Sequence, residues 1–197
     1  DARLSRYSYL VSLLPQRIID DLGLSIRLAP RRYSSYTPVP GGSGGLLVDN
    51  HDDAATDASF AAIGAQSDAD AWRTFYDGTT RLARALFPTV TDPLLTRAEA
   101  RAAVGDDQLW DALIEEPVGH TIADTFGSDL VRGVAYTDAL IGTFASNDDE
   151  TLAANRCLLY HVIGGGTGDW NVPVGGMGAV TGELARAARL AGATLTT

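Results

Sequence analysis

Histidine and cysteine are scarce in this sequence. There are three of the first and one of the second in 197 residues. His51, His120 and His161 stand far apart, and neither an HxxxH nor a CxxC spacing occurs, so no metal centre is expected. The lone Cys157 excludes an internal disulfide. It sits in the apolar run "CLLYHVIG", where a buried structural thiol is expected rather than a nucleophile. Such sparing use of cysteine fits a reducing cytoplasm, the expected location. Positive charge is also short, with 15 basic against 25 acidic residues and a formal net charge of −10. The basic residues are scattered, and Arg31-Arg32 is the one basic doublet. Nucleic acid is therefore not an expected partner, because phosphate binding needs clustered cations. No apolar run approaches the roughly 20 residues that span a bilayer, so no transmembrane segment is expected. The G-x-S-x-G spacing occurs at residues 41–45, within the glycine-rich turn "PGGSGG" and not at a strand-to-helix elbow, so a serine triad is not supported. No signal peptide is recognisable, and the first residue is Asp1 rather than Met, so the natural start is expected to lie elsewhere.

Apolar residues make up 45% and charged residues 20%, which suits one good core or two small ones. Residues 7–22 have helical spacing, with Leu10, Leu13, Leu14, Ile18 and Ile19 on one side. Pro15 interrupts them, which predicts two short helices meeting at Leu14-Pro15 and stopping at Gly23. Residues 25–28, 33–39 and 46–49 read as short strands. "PGGSGG" at 40–45 reads as a hairpin turn with the composition of a flexible linker. His51-Asp52-Asp53 reads as an acidic helix start, and the chain is expected to be mostly helical from there to about 155. Trp72, Phe75, Tyr76, Thr79, Leu82, Ala83 and Leu86 recur at three and four residues, the spacing of a core-facing stripe that could also line a ligand cavity. Thr96 and Glu99 form a capping-box pattern closed by Gly105. Further helices are expected around Leu109 to Ile114, over 117–126 and 128–142, and from 147–150 toward Leu159. The fold class expected is α+β: a small, mostly antiparallel sheet over 25–49, covered by a predominantly helical layer.

Residues 164–178 are too rich in glycine to form an ordinary packed element. "GGGTGD" at 164–169 lacks the lysine of a P-loop and the third glycine of G-x-G-x-x-G, so the nucleotide-binding fingerprint is incomplete. The doublet Gly175-Gly176 has two readings. It is a turn before a surface helix, or a place where bare main chain approaches a flat ligand at a helix N-terminus. Val180, Leu184, Ala187, Ala188 and Ala191 form an apolar stripe on that helix, and "ATLTT" after Gly192 reads as the start of a strand.

"YHVIGGGTGDWNVPVGGMGAVTGELARAARLAGATLTT" resembles the middle of phytoene dehydrogenase-related FAD-dependent oxidoreductases. There, a P-x-GGMG segment precedes a helix and a GA-x-(I/L) strand returns to the flavin domain. Pro173, Gly175, Gly176, Met177 and Gly178 match the first, and Gly192, Ala193 and Leu195 the second. "SYLVSLLPQRIIDDLGL", "SSYTPVP" and "YTDALIGTFAS" resemble other segments of the family in order, so the likeness covers nearly the whole chain. The family's N-terminal G-x-G-x-x-G unit and its C-terminal flavin segment have no counterpart here.

The resemblance implies a partial FAD/NAD(P)-binding oxidoreductase fold without the N-terminal Rossmann unit, an internal portion of a protein roughly two to three times longer. It implies a substrate-binding domain over 1–162. Residues 163–197 would then be a glycine-rich loop, helix and strand returning to the flavin-binding domain. FAD would be the cofactor of the parent, bound weakly or not at all by this portion. Gly175, Gly176 and Met177 would face the cofactor, and Trp72, Tyr76, Trp110, His161 and Trp170 a small apolar substrate. The rest of the parent chain would be a partner. No catalytic residue stands out; His161 is the nearest candidate, and a satisfied structural histidine is the favoured reading. The alternative from the residues alone is a self-contained helical module binding an apolar ligand or a protein partner.

Overall fold

The computed structural model describes Ser8 and residues 10–196. Helix takes in 54% and small antiparallel sheets 9%, so the class is α+β. The residues group into two compact units. One joins the described part of residues 1–31 to residues 169–196, and the other runs Arg32–Gly168.

The larger unit opens on a hairpin of β2 (Tyr33–Pro38) and β3 (Gly45–Asp49), paired antiparallel with Thr37 opposite Leu46 and Tyr36 opposite Leu47. The turn forms where the glycines predict it, with the Val39 N–H donating to Gly44 O. Helix α2 (Asp53–Ala62) starts at Asp52, whose carboxylate accepts from the Ala55 N–H at 2.9 Å. The same helix closes the outer edge of β3. The Leu47 and Asp49 N–H groups donate to Ser59 Oγ (2.6 Å) and Thr56 Oγ1 (3.0 Å), so side chains of α2 occupy that edge of β3.

Helix α3 (Asp68–Leu86) buries Trp72, Phe75, Thr79, Leu82, Ala83 and Leu86, the predicted stripe. Around it lie α4 (Arg97–Val104), α5 (Asp107–Trp110), a π-turn at Asp111–Glu115, α6 (Val118–Thr125), α7 (Asp129–Leu140) and α8 (Ala153–Val162). Helix α4 has the full capping box between Thr96 and Glu99, and Gly105 ends it in the left-handed conformation. Phe60, Trp72, Phe75, Leu82, Phe126, Val131 and Leu158 belong to one continuous core. Two buried polar side chains bind main chain inside it. Asp68 accepts from the Gly127 and Ser128 N–H groups at 2.9 and 2.8 Å, which fixes the entry to α7. Asn155 accepts from the Val118 N–H at 3.2 Å and donates to Leu113 O (3.0 Å) and Glu116 O (2.6 Å).

The smaller unit contains α1 (Gln16–Asp21), β1 (Leu28–Ala29), β4 (Val172–Pro173) and α9 (Met177–Leu190). Four expectations change here. Residues 10–14 are not helical, because Val11 exchanges two main-chain hydrogen bonds with Asn171, and Tyr7 and Tyr9 lie outside the described residues. The strands between 25 and 49 do not form one sheet, since β1 pairs with β4 from the far end of the chain. Residues 194–196 are not in a strand, and no described strand runs beside them. On α9, Val180 is buried but Leu184 and Ala191 are exposed.

Asn155→Ala should destabilise the chain by about 2–3 kcal/mol, because a buried N–H, a buried carbonyl and a partly buried carbonyl lose their partner. Urea unfolding measures this, with the exposed Asp124→Ala as control. Equal midpoints for the two variants would contradict the role given to the amide.

Candidate functional site

Strand β4 carries the chain into the Gly175-Gly176 turn, and the Val174 N–H donates to Arg27 O at 2.9 Å. Gly175 has φ 90°, and Gly176 has φ 74° with ψ −179°. The second pair of angles is one that only glycine adopts without strain. The Gly176 N–H donates to Pro173 O (2.9 Å), and its carbonyl accepts from the Ala179 N–H (3.0 Å), which starts α9. Glu183 and Arg186 hold the helix in place. Glu183 Oε2 accepts from the Ser25 N–H at 2.7 Å, and Arg186 donates to Gly23 O at 2.6 Å while pairing with Glu183 at 2.9 Å. Arg186, then the Ser25 amide, keeps the Glu183 carboxyl below its ordinary pKa.

Both glycines are exposed. A Cβ built on Gly176 would meet no described atom within 4 Å, and one on Gly175 would meet Ala179 Cβ at 3.2 Å. Glycine is thus required here by the dihedral angles, and the result is a stretch of open main chain at the N-terminus of a 14-residue helix with no acid in its first turn. A flat or anionic group meets neither a side chain nor a repelling carboxylate there, so these residues fit a flavin's chemistry. Met177 is the first helical residue and is half-buried. In the same unit Trp170 is half-buried, and its carbonyl accepts from Arg31 Nε at 3.1 Å.

The other residues named from the sequence belong to the larger unit. Trp72 is 8% exposed, with ring centroids 5.7 Å from Phe60, 4.5 Å from Tyr76 and 6.0 Å from Phe126. Trp110 is 3% exposed, and its Nε1–H donates to Glu115 Oε1 at 2.6 Å. Arg97 binds the same carboxylate from the other side at 2.6 Å. Arg97 first, then the indole, holds the Glu115 carboxyl below its usual range. His161 is 6% exposed, with Nδ1 2.7 Å from Cys157 O and 3.6 Å from the Cys157 sulfur. Burial, then Asp138, pushes the Cys157 thiol up, so the thiol stays protonated. Tyr76 is half-buried beside Trp72. Burial and then Asp138 raise its phenolic pKa. Trp72 and Tyr76 are thus brought together, whereas Trp110 is tied to a separate ion pair.

Three features of this unit were not among the sequence-derived candidates. Asp138 lies in α7, and nothing in its spacing marks its electrostatic influence on Tyr76 and Cys157. Glu115 ends a π-turn, a geometry without a sequence signal. A groove of about 240 Å³ runs between α3 and the π-turn, with Phe75, Leu109 and Leu113 as apolar walls and the Arg81–Asp106 pair at its rim. Among the described residues no group of three or more His, Cys, Asp or Glu could hold a metal ion. No described helix is long and apolar enough to cross a membrane.

With the geometry in hand, relatives can be compared. Uncharacterized proteins of Mycobacterium tuberculosis and Mycobacterium bovis are 48% identical over 205 residues, covering all of this chain and 38% of theirs. A mouse protein named pyridine nucleotide-disulfide oxidoreductase domain-containing protein 2 is 28% identical over 229 residues, covering 99% of this chain and 39% of its own. The rat protein of that name is 28% identical over 232 residues. No family model and no solved structure matches. The chain therefore spans less than two-fifths of the length of these relatives, and its distant similarity is to proteins with an oxidoreductase name.

Two outcomes follow from the geometry. Gly176→Ala should cost about 1–3 kcal/mol through strain. Gly178→Ala, inside the helix with open space at its Cβ, should stabilise by about 0.5–1 kcal/mol. Urea denaturation of both variants decides, and shifts of the same sign would refute the dihedral argument. Glu115 has a lower pKa folded than unfolded, so its contribution is complete above the ordinary value of 4.5 and is lost as pH falls through the folded value. Glu115→Gln should therefore flatten the acid limb of the stability–pH curve, and an unchanged limb would show that the pair does not contribute.

Proposed function

We propose that this chain is the substrate-domain portion of an FAD-dependent oxidoreductase of the phytoene dehydrogenase-related kind. Bound FAD would accept a hydride from an apolar substrate. The observation that carries the reading is the Gly175-Gly176-Met177 turn. Side-chain-free main chain, with angles open to glycine alone, leads into the N-terminus of a helix at the position where the family places its P-x-GGMG segment. The distant relatives with an oxidoreductase name support it from another direction.

In this reading the main-chain N–H groups at the start of α9 hold and orient the electron-rich edge of the cofactor. The clamp of Glu183 and Arg186 on residues 23–25 keeps that helix end from moving. The helical unit supplies the apolar wall, with Tyr76 on the half-exposed side of α3 and Trp72 behind it. Trp110 and His161 of the same unit, and Trp170 of the smaller unit, are each proposed substrate contacts, and apolar side chains around a reacting C–H bond exclude water from it. No side chain here is assigned a proton-transfer role. The cytoplasm is the proposed location.

The test is the longer protein in which this segment sits. Purified intact, it should show flavin absorbance and oxidise an apolar substrate. The 197-residue chain titrated with FAD should show weak binding or none, because no complete ADP-cradling glycine fingerprint is present. A colourless longer protein that gains no absorbance with added FAD, or tight stoichiometric FAD on the short chain, would overturn the proposal.

A further inference from the structure

The Tyr76 side chain is the most unusual polar group in the helical unit. It sits in the middle of α3, one turn after Trp72, and its ring lies 4.5 Å from the indole and 5.3 Å from Phe75. Its main-chain carbonyl is occupied by the Thr79 and Thr80 hydroxyls, both at 2.9 Å. Among the described residues its phenolic hydroxyl has no hydrogen-bond partner. Yet no fully buried side-chain nitrogen or oxygen among these residues lacks a partner. The Tyr76 hydroxyl is therefore not sealed in, and solvent reaches it. The surroundings are nevertheless poor in water, since burial is the first cause of the upward shift of the phenol and the Asp138 carboxylate the second. A strong donor that solvent reaches and no described protein group uses, set in an aromatic wall, has the properties of a ligand contact.

We propose that the Tyr76 hydroxyl is the hydrogen-bond donor this domain offers its ligand, and that the ligand is a mostly apolar molecule with an oxygen acceptor such as a carbonyl. The inference rests on the proposed substrate-domain reading and narrows the substrate class. The acceptor follows from the phenol itself, which stays protonated at any physiological pH and so has a proton to donate. A pure hydrocarbon would leave that donor dehydrated and unpaired, which costs binding free energy.

A matched pair of probes tests this on the full chain and on the longer protein. 4-Fluoroacetophenone and 1-ethyl-4-fluorobenzene have nearly the same shape and differ in the carbonyl, and fluorine NMR line broadening reads the binding of each. The ketone should bind the unmodified protein about tenfold more tightly, the size expected of one hydrogen bond. Tyr76→Phe should erase that preference and leave the affinity of the ethyl compound unchanged, which also shows that the wall is intact. Equal binding of both probes, a preference that survives Tyr76→Phe, or no binding of either would each overturn the proposal. Flavin absorbance of the longer protein is read separately. A colourless protein that still discriminates the two probes through Tyr76 would remove the oxidoreductase reading and keep this one.

Discussion

Where the π-turn ends and α6 begins, the main chain changes direction inside the core, and neither helix can satisfy the groups exposed there. Leu113 O, Glu116 O and the Val118 N–H all fall at that corner, and the Asn155 amide from α8 meets the three of them. A buried carbonyl or N–H without a partner costs about 1–3 kcal/mol. The amide therefore stabilises the course of the chain from the π-turn into α6. Asp68 does the same for Gly127 and Ser128 at the entry to α7. The apolar core sets the size of the unit, and these two polar side chains set the course of the chain through it.

Much of this layout follows from local chemistry and could be read in advance. The α3 stripe, the Thr96–Glu99 capping box and the acidic start at Asp52 depend on neighbours within four residues, so the sequence pattern contains the whole cause. The hairpin is local too. What could not be read depends on partners far along the chain. Val11 is strand-like because of Asn171, and β1 pairs with β4 across more than 140 residues, so the apolar spacing around Leu10 looked helical while the long-range pairing prevailed. The "ATLTT" strand failed for the complementary reason: β-prone residues need a neighbouring strand, and none is described there. Asn155 stands on the face of α8 that also carries Leu158 and Val162, but its partners lie about 40 residues away, outside any local pattern.

The candidate cofactor site was legible in a different sense. Two adjacent glycines before a helix could be read either as a simple turn or as a bare surface, and the observed geometry joins the two readings. The turn needs glycine because of φ and ψ at Gly176, and the absence of side chains at 175 and 176 is then a consequence that a ligand can use. Conformation and binding would be served by the same two residues. For that reason, loss of function on replacing Gly176 does not by itself distinguish contact from strain. Gly178, where the angles are ordinary and the space is open, supplies the contrast.

Helix α3 shows how a core element can leave a polar group at its margin. Trp72, Phe75, Leu82 and Leu86 are committed to the interior, and changing any of them alters the volume of a close-packed core. Tyr76 lies at the margin of that stripe. Its ring adds to the aromatic cluster while its hydroxyl stays out of the protein's own hydrogen bonding. Replacing the tyrosine by phenylalanine removes one oxygen and no packing, so the helix can vary what it offers a ligand at almost no cost to its fold. If Tyr76 contacts a ligand as proposed, fold and specificity would be separated along a single helix, by the few atoms at the edge of the stripe that the core does not require.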